Sequence, residues 1–248
     1  MNEFAELLTR IEGVEDGPGS GRTGRLRDAA TLVLVDRSAG EPRVLLGRRH
    51  DRHAFLPGRF VFPGGRVDAE DARMAISGAL DPASERRLMQ RMRRPTHSRA
   101  RALALTAIRE TFEETGILLG RKNGDAPAAP SAAWRPFAEA GILPDLSALT
   151  FVMRAITPPK RPRRFDTRFF LADRRAVARE LPGFTGPEAE FVELKWLTFA
   201  EAEKDNLPSI TKIVLVEAKA RLEAGAAAPR AVPFYYWKGG RFHHEEID

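Results

Sequence analysis

Cysteine is absent from all 248 residues, which excludes disulfides, thiolate metal sites and cysteine nucleophiles together. A chain without thiols suits a reducing compartment, and the cytoplasm is the expected location. No apolar run approaches the ~20 residues that a membrane-crossing helix needs. The N-terminus lacks the positive start and apolar block of a signal peptide, and no internal repeat is present. Acidic residues are outnumbered: the net charge is +6 and the pI about 10.0. Such a balance favours acidic partners, and a small polyphosphate satisfies it as well as nucleic acid does. RNA binding would interleave stacking aromatics with the basic residues. The basic stretches here hold Phe165 and little else, so nucleic acid and membrane are both set aside as partners.

What is present is an ordinary globular composition, 43% hydrophobic and 30% charged. The chain is organised around residues 62–117. Arg109-Glu110-Thr111-Phe112-Glu113-Glu114-Thr115-Gly116 reads as the end of a helix beginning near Ser98, with Gly116 placed to stop it. At 100° per residue Leu105, Ile108, Phe112 and Thr115 share one side. Glu110, Glu113 and Glu114 lie within roughly 100° of one another on the other. Like charges at these spacings repel by a few tenths of a kcal/mol per pair. A solvated acidic face is the bland explanation. The alternative is a hard divalent ion, Mg²⁺ or Mn²⁺, gripped by clustered carboxylates. Upstream, Phe62-Pro63-Gly64-Gly65-Arg66-Val67-Asp68 is a turn whose glycines permit close backbone approach.

Together these pieces resemble the Nudix hydrolase family, whose box reads G-x5-E-x7-R-E-U-x-E-E-x-G-U, U being a bulky aliphatic. Gly65 and Asp71 carry its opening, with Asp in place of Glu. Arg109, Glu110, Phe112, Glu113, Glu114, Gly116 and Ile117 carry its second half. Residues 72–101 interrupt the box as an insertion. The resemblance implies an α/β fold: an α/β/α sandwich with a mixed, curved sheet, a helical insertion and the C-terminal helix packed at the sheet's rim. It implies Glu113 and Glu114 as metal ligands, Glu110 as ligand or general base, and a carbonyl of Gly64 or Gly65 completing the shell. Arg109 would pair with Asp71 and orient the helix. Bases outside the box occur in the family, and Glu188, Glu190 and Glu193 are unranked candidates.

A second similarity narrows the substrate. Leu45, Leu46, Arg49, Gly58, Phe62, Pro63, Gly64 and Gly65 match the pattern preceding the box in Nudix coenzyme A diphosphatases, while Gly47, His50 and Ala54 depart from it. Arg49 matches, and Arg59, with Arg48 and Arg52, stands close enough to replace the arginine missing at 54. Arg163-Arg164-Phe165-Asp166-Thr167-Arg168-Phe169-Phe170 is similar to a segment of the same branch, adding Arg164 and Arg168 as substrate contacts. The implied reaction is hydrolysis of coenzyme A or an acyl-coenzyme A. ADP-ribose or a nucleoside diphosphate sugar is the alternative substrate, and a Nudix-like nucleotide- or RNA-binding module without turnover the alternative class. Family habit offers a homodimer, and nothing in the residues adds to it.

The remaining chain reads in order. Residues 2–11 suggest a short amphipathic helix within a lead-in over 1–28, and one domain fills 29–248. Strands are expected at 29–36, 43–49, 60–62, 148–156, 165–172 and 190–197, with a hairpin from Val232 past Gly239-Gly240. Helices are expected at 82–94 (Asp81 as cap), 199–205 (Thr198 as cap) and 208–224. The insertion's arginines, Arg86, Arg87, Arg91, Arg93, Arg94, Arg99 and Arg101, read first as a solvated face and second as a cap over the cleft. His243 and His244, adjacent in a strand, point to opposite faces and read as surface residues.

Overall fold

A computed structural model describes residues 23–52, 56–124, 127–225 and 230–248. The expected helix over 2–11 and Ala54 lie outside the described residues. In chain order the strands begin with β1 (Leu26–Asp36), β2 (Arg43–Arg49), β3 (Phe60–Val61) and β4 (Gly64–Arg66). The helices α1 (Pro82–Met89) and α2 (His97–Thr115) follow, then β5 (Ile117–Leu119), β6 (Arg121–Lys122), α3 (Arg135–Glu139) and β7 (Ile142–Leu143). Next come β8 (Thr150–Ile156), β9 (Arg164–Asp173), β10 (Val177–Glu180) and β11 (Phe191–Thr198). The chain closes with α4 (Phe199–Lys204), α5 (Ser209–Ala224), β12 (Val232–Lys238) and β13 (Arg241–Ile247).

The main sheet runs β11-β2-β1-β9-β8-β12-β13, with β3 added to β2 and β4 to β1. It is mixed: β1 is parallel to β9 and β8 to β12, while β1 and β2 are antiparallel. The unbroken apolar run Leu32–Val35 suits the central strand β1, buried on both faces. Alternate residues serve two cores. Leu32, Leu34, Phe151 and Phe170 pack beneath α2 with Leu103, Leu105, Ile108 and Phe112. Val33, Val35, Val44, Leu46 and Val152 pack on the other face against Phe199, Ala202, Ile213, Val214 and Ala218. A sheet between two helical layers results, the expected α/β/α sandwich.

Two expectations about the layers change. The C-terminal helix α5 is the covering layer of one face, since its apolar positions fill the second core. The insertion is also central: Met74, Leu80, Leu88 and Met92 are buried with α2 in the first core. None of its arginines reaches the cleft, so the cap reading does not hold. Instead α1 stops at Met89, because Arg154 on β8 donates to the carbonyls of Gln90 (3.0 Å) and Arg91 (3.3 Å). His243 and His244 do face opposite ways, stacking on Tyr236 and Tyr235. No helix among the described residues is long and apolar enough to cross a membrane.

Candidate active site

Helix α2 carries the acidic cluster and is buried nearly all round, flanked by sheet and insertion. Thr96 caps its start, accepting from the Arg99 N–H (3.2 Å). Gly116 ends it in the left-handed region at φ 76°, its N–H on the Phe112 carbonyl at 2.8 Å. Two further glycines set the approach of β4. A Cβ at Gly64 would overlap Thr31 and the Ala30 carbonyl, and one at Gly65 would overlap the Glu110 carboxylate. Hence Gly64-Gly65 is a short strand pressed between β1 and α2; a side chain at Gly64 would meet backbone, and one at Gly65 would displace the Glu110 carboxylate.

Arg109 is the hub. Its Nε donates to Asp71 Oδ1 (2.7 Å), Nη1 to Glu110 Oε1 (2.9 Å) and Glu113 Oε2 (2.7 Å), and Nη2 to Asp71 Oδ2 (3.0 Å) and the Arg66 carbonyl (2.8 Å). All five of its N–H bonds are thereby used. Burial opposes this charge, but the Asp71 hydrogen bond and the fields of Glu110, Asp71 and Glu113 outweigh it and hold the guanidinium more firmly charged than usual. Asp71, fully buried, also accepts from Thr106 Oγ1 (2.7 Å), Trp134 Nε1 (3.2 Å) and the Asp68 N–H (2.9 Å). Across the insertion, the shortened Asp side chain therefore still reaches the arginine. The sequence does not mark Trp134 as this partner; a buried indole in want of an acceptor is the only signal it offers.

The carboxylates separate by environment. Glu113 is the outermost, 39% exposed and bound to Arg109. Glu114 is 8% exposed, and its Oε2 accepts from the Gly64 N–H at 2.9 Å. Burial first, then the nearby charges of Glu110 and Glu190, push its pKa well above the usual carboxylate range, against the Gly64 bond and Arg49. Burial raises Glu110 to about 7, although Arg109 pulls the other way.

A cavity of about 520 Å³ opens beside them. Glu110, Glu114, Glu190, Gly64, Gly65, Arg49 and Arg66 line one end. Phe165, Phe169, Ile210, Tyr235 and Phe242 line an apolar stretch, and Arg161 and Arg163 border it from the β8–β9 loop. Of the expected substrate arginines only Arg49 is there, its Nη2 2.7 Å from Glu190 and its Nε buried without a partner. Arg59 bonds Asn206 (2.6 Å), and Arg164 donates to the carbonyls of Thr157 and Pro158. Arg168 is fully buried against Asp28 (3.1 Å) and Asp166 (2.9 Å), on the face away from the cavity, where it cannot touch a ligand. Arg161 and Arg163, neighbours of Arg164 in the same basic run, take the cavity positions instead. Among the three outlying glutamates Glu190 lines the cavity. Glu188 sits 87% exposed against Arg52, and Glu193 pairs with Arg48 and Lys195.

Among the described residues no three acidic or histidine side chains form a ready-made metal cage. Glu110 and Glu114 nevertheless bring hard carboxylate oxygens against the Gly64-Gly65 strand. Mg²⁺ characteristically takes one or two carboxylates and keeps the rest of its shell for water and substrate phosphates. The donor set fits such an ion, and the cost of two buried like charges is what an ion would relieve.

Comparisons with known proteins give the family and the fold. A family model described as the NUDT19 Nudix domain matches residues 26–209. The chain is 30% identical over 206 residues to the acyl-coenzyme A diphosphatase NUDT19 of Gallus gallus, covering 58% of this chain and 54% of the relative. The protein of that name from Homo sapiens is 30% identical over 212 residues, with 66% and 56% covered. The chain thus spans about half the length of the curated relatives it matches. Among solved structures, a NUDIX hydrolase from Alicyclobacillus acidocaldarius superposes with a TM-score of 0.58 at 29% identity, over 84% of this chain and 100% of that one.

Proposed function

The chain belongs to the Nudix hydrolases, and from that membership we propose that it splits the diphosphate bridge of a nucleoside diphosphate derivative, coenzyme A or an acyl-coenzyme A first. The observation that carries the proposal is the burial of Glu114 beside Glu110 against Gly64-Gly65, in a cavity that also holds Arg49 and Arg66. A module that only bound nucleotides would gain nothing from crowding Glu110 against the buried Glu114, which costs desolvation and like-charge repulsion. The names of the chicken and human relatives favour coenzyme A derivatives over ADP-ribose and nucleotide sugars.

Glu110, Glu114 and a carbonyl of Gly64 or Gly65 would hold Mg²⁺ or Mn²⁺. When bound, the ion would neutralise the diphosphate and make water a better nucleophile. Arg109 holds Glu110 and, through Asp71, fixes α2 against the loop after β4; its role is positioning. Glu113 serves beside it as a partner of Arg109. Arg49 and Arg66 are placed to take phosphate oxygens. Glu190, oriented by Arg49, is the carboxylate we assign to accept the proton of the attacking water, because Arg109 already occupies Glu110.

Incubating the protein with coenzyme A, ADP-ribose, UDP-glucose and capped RNA, with Mg²⁺ or Mn²⁺, tests the reading. Release of 3′,5′-ADP and 4′-phosphopantetheine from coenzyme A is expected. Binding of these compounds without turnover of any would return the chain to the class of binding modules.

A further inference from the structure

We infer that a second cavity, at the C-terminal ends of β1 and β9, is a binding site for a phosphate dianion, either the free ion or the end of a small phosphomonoester. It measures about 200 Å³, room for about six waters at ~30 Å³ each. Arg37, Arg221 and Arg230 line it, and Val35, Leu171 and Leu222 supply apolar walls. Asp173 is the only carboxylate among its described lining residues. The site is separate from the candidate active site. On β1, Thr31 borders the first cavity and Val35 the second, four residues or roughly 13 Å apart. On α5, Ile210 borders the first and Leu222 the second, roughly 18 Å apart along the helix.

Charge carries the inference. Arg221 has a side chain only 10% exposed. Its Nη2 donates to the carbonyls of Val152 (3.3 Å) and Ala231 (2.8 Å), which fixes the guanidinium against the starts of β8 and β12. Its Nε lies 2.8 Å from Glu217 Oε1 but out of line for a hydrogen bond. That same oxygen accepts from Arg230 Nε at 3.2 Å. Asp173 is shared in the same way, by Arg37 (2.7 Å) and Arg175 (3.0 Å). Four guanidinium groups therefore meet two carboxylates, an excess of two positive charges. Residues 226–229, between Gly225 and Arg230 in sequence, are three alanines and a proline and bring no charge.

The excess has a local effect. Burial pulls the Arg221 pKa below the ordinary guanidinium value; Glu217 opposes this, and the charges of Arg230 and Arg87 reinforce it. A bound anion would relieve that strain. The C-terminus of α5 contributes only about half a negative charge, less than the excess. A phosphate group carries about −1.5 to −2 at pH 7, which matches two unanswered cations where a carboxylate would match one. Guanidinium N–H groups also suit its oxygens.

Calorimetry with inorganic phosphate, methyl phosphate and acetate, in a zwitterionic buffer with EDTA, tests the site without turnover. Wild type should bind phosphate, and acetate at least about tenfold more weakly. Arg230 is the residue to change, because it is 42% exposed and makes no backbone bond that the fold needs. Arg230→Gln should weaken phosphate about tenfold or more, the loss of one charge-assisted contact. Arg230→Lys should restore part of it. Arg66→Ala, which alters the other cavity, should leave this binding in place. Methyl phosphate binding as tightly as phosphate would assign the monoester end, and binding of phosphate alone the free ion. No phosphate binding by wild type, equal binding by a cooperatively melting Arg230→Gln protein, acetate binding as tightly as phosphate, or loss on Arg66→Ala overturns the site.

Discussion

Asp71 shows how far a single residue's surroundings decide its role. The family pattern has Glu at this position, yet five donors, the Trp134 indole among them, leave no room for another methylene. Restoring the pattern residue, Asp71→Glu, should therefore destabilise the protein by about 1–3 kcal/mol, as overpacking does. Asp71→Ala strands the buried Arg109 charge and should cost about 3–5 kcal/mol in denaturant unfolding. Stability equal to wild type in the Ala variant would show that the pair carries no weight.

Glu110 gives a prediction in pH. Its carboxyl is raised from 4.5 to about 7 by burial, so the folded state without divalent ions favours the protonated form. Its contribution to stability is present below about 4.5 and is lost as the pH rises through 7. In EDTA, the melting temperature of Glu110→Gln relative to wild type should rise between pH 5 and pH 8, and added Mn²⁺ should close the gap. A pH-independent difference would contradict the burial argument. For Glu190, the assignment as base predicts that Glu190→Gln lowers kcat by about 10²-fold or more and removes the acidic limb of the pH–rate profile. An unchanged acidic limb would place the base elsewhere.

At the scale of elements, local signals were the legible ones. Thr96, Gly116 and the apolar stripe bound α2 to within a residue of its expected start and end, and β2 falls on the expected Arg43–Arg49. Thr198 caps α4 in a full capping box, as its spacing to Glu201 suggests. What escaped depended on distant partners. No local rule foretells that Arg154 ends α1 five residues early, or that β5 pairs with β10 from across the chain. Arg109, Glu110, Glu113 and Glu114 are likewise legible as a group on α2, but not which carboxylate faces the cavity, since that follows from Gly64 and Gly65 of β4 packing against Glu114 and Glu110. The sequence likewise points to Arg164 and Arg168, where the structure puts Arg161 and Arg163 at the cavity. Strand alternation turns Arg168 into the core, and only the loop's path shows which arginines border the cleft. Gly116 provides an element-scale test. Gly116→Ala meets both the left-handed penalty and the Leu181 carbonyl, and should cost at least about 1–2 kcal/mol in thermal unfolding.

For the whole molecule, one sheet brings the parts of the candidate site together. Its strand order sets the glycine bend, the arginine loop and the apolar stretch side by side along one cavity. The insertion, which parts the two halves of the acidic motif in sequence, fills the core beneath α2 and leaves the cleft open. The account turns on a divalent ion gripped where α2 meets β4. Titration of Mn²⁺ into wild type and Glu114→Gln, read by the loss of the free-ion resonance signal, tests that grip directly. Binding by wild type and its loss in the variant, with both melting cooperatively, is the predicted result; equal Mn²⁺ uptake by the two proteins would contradict it.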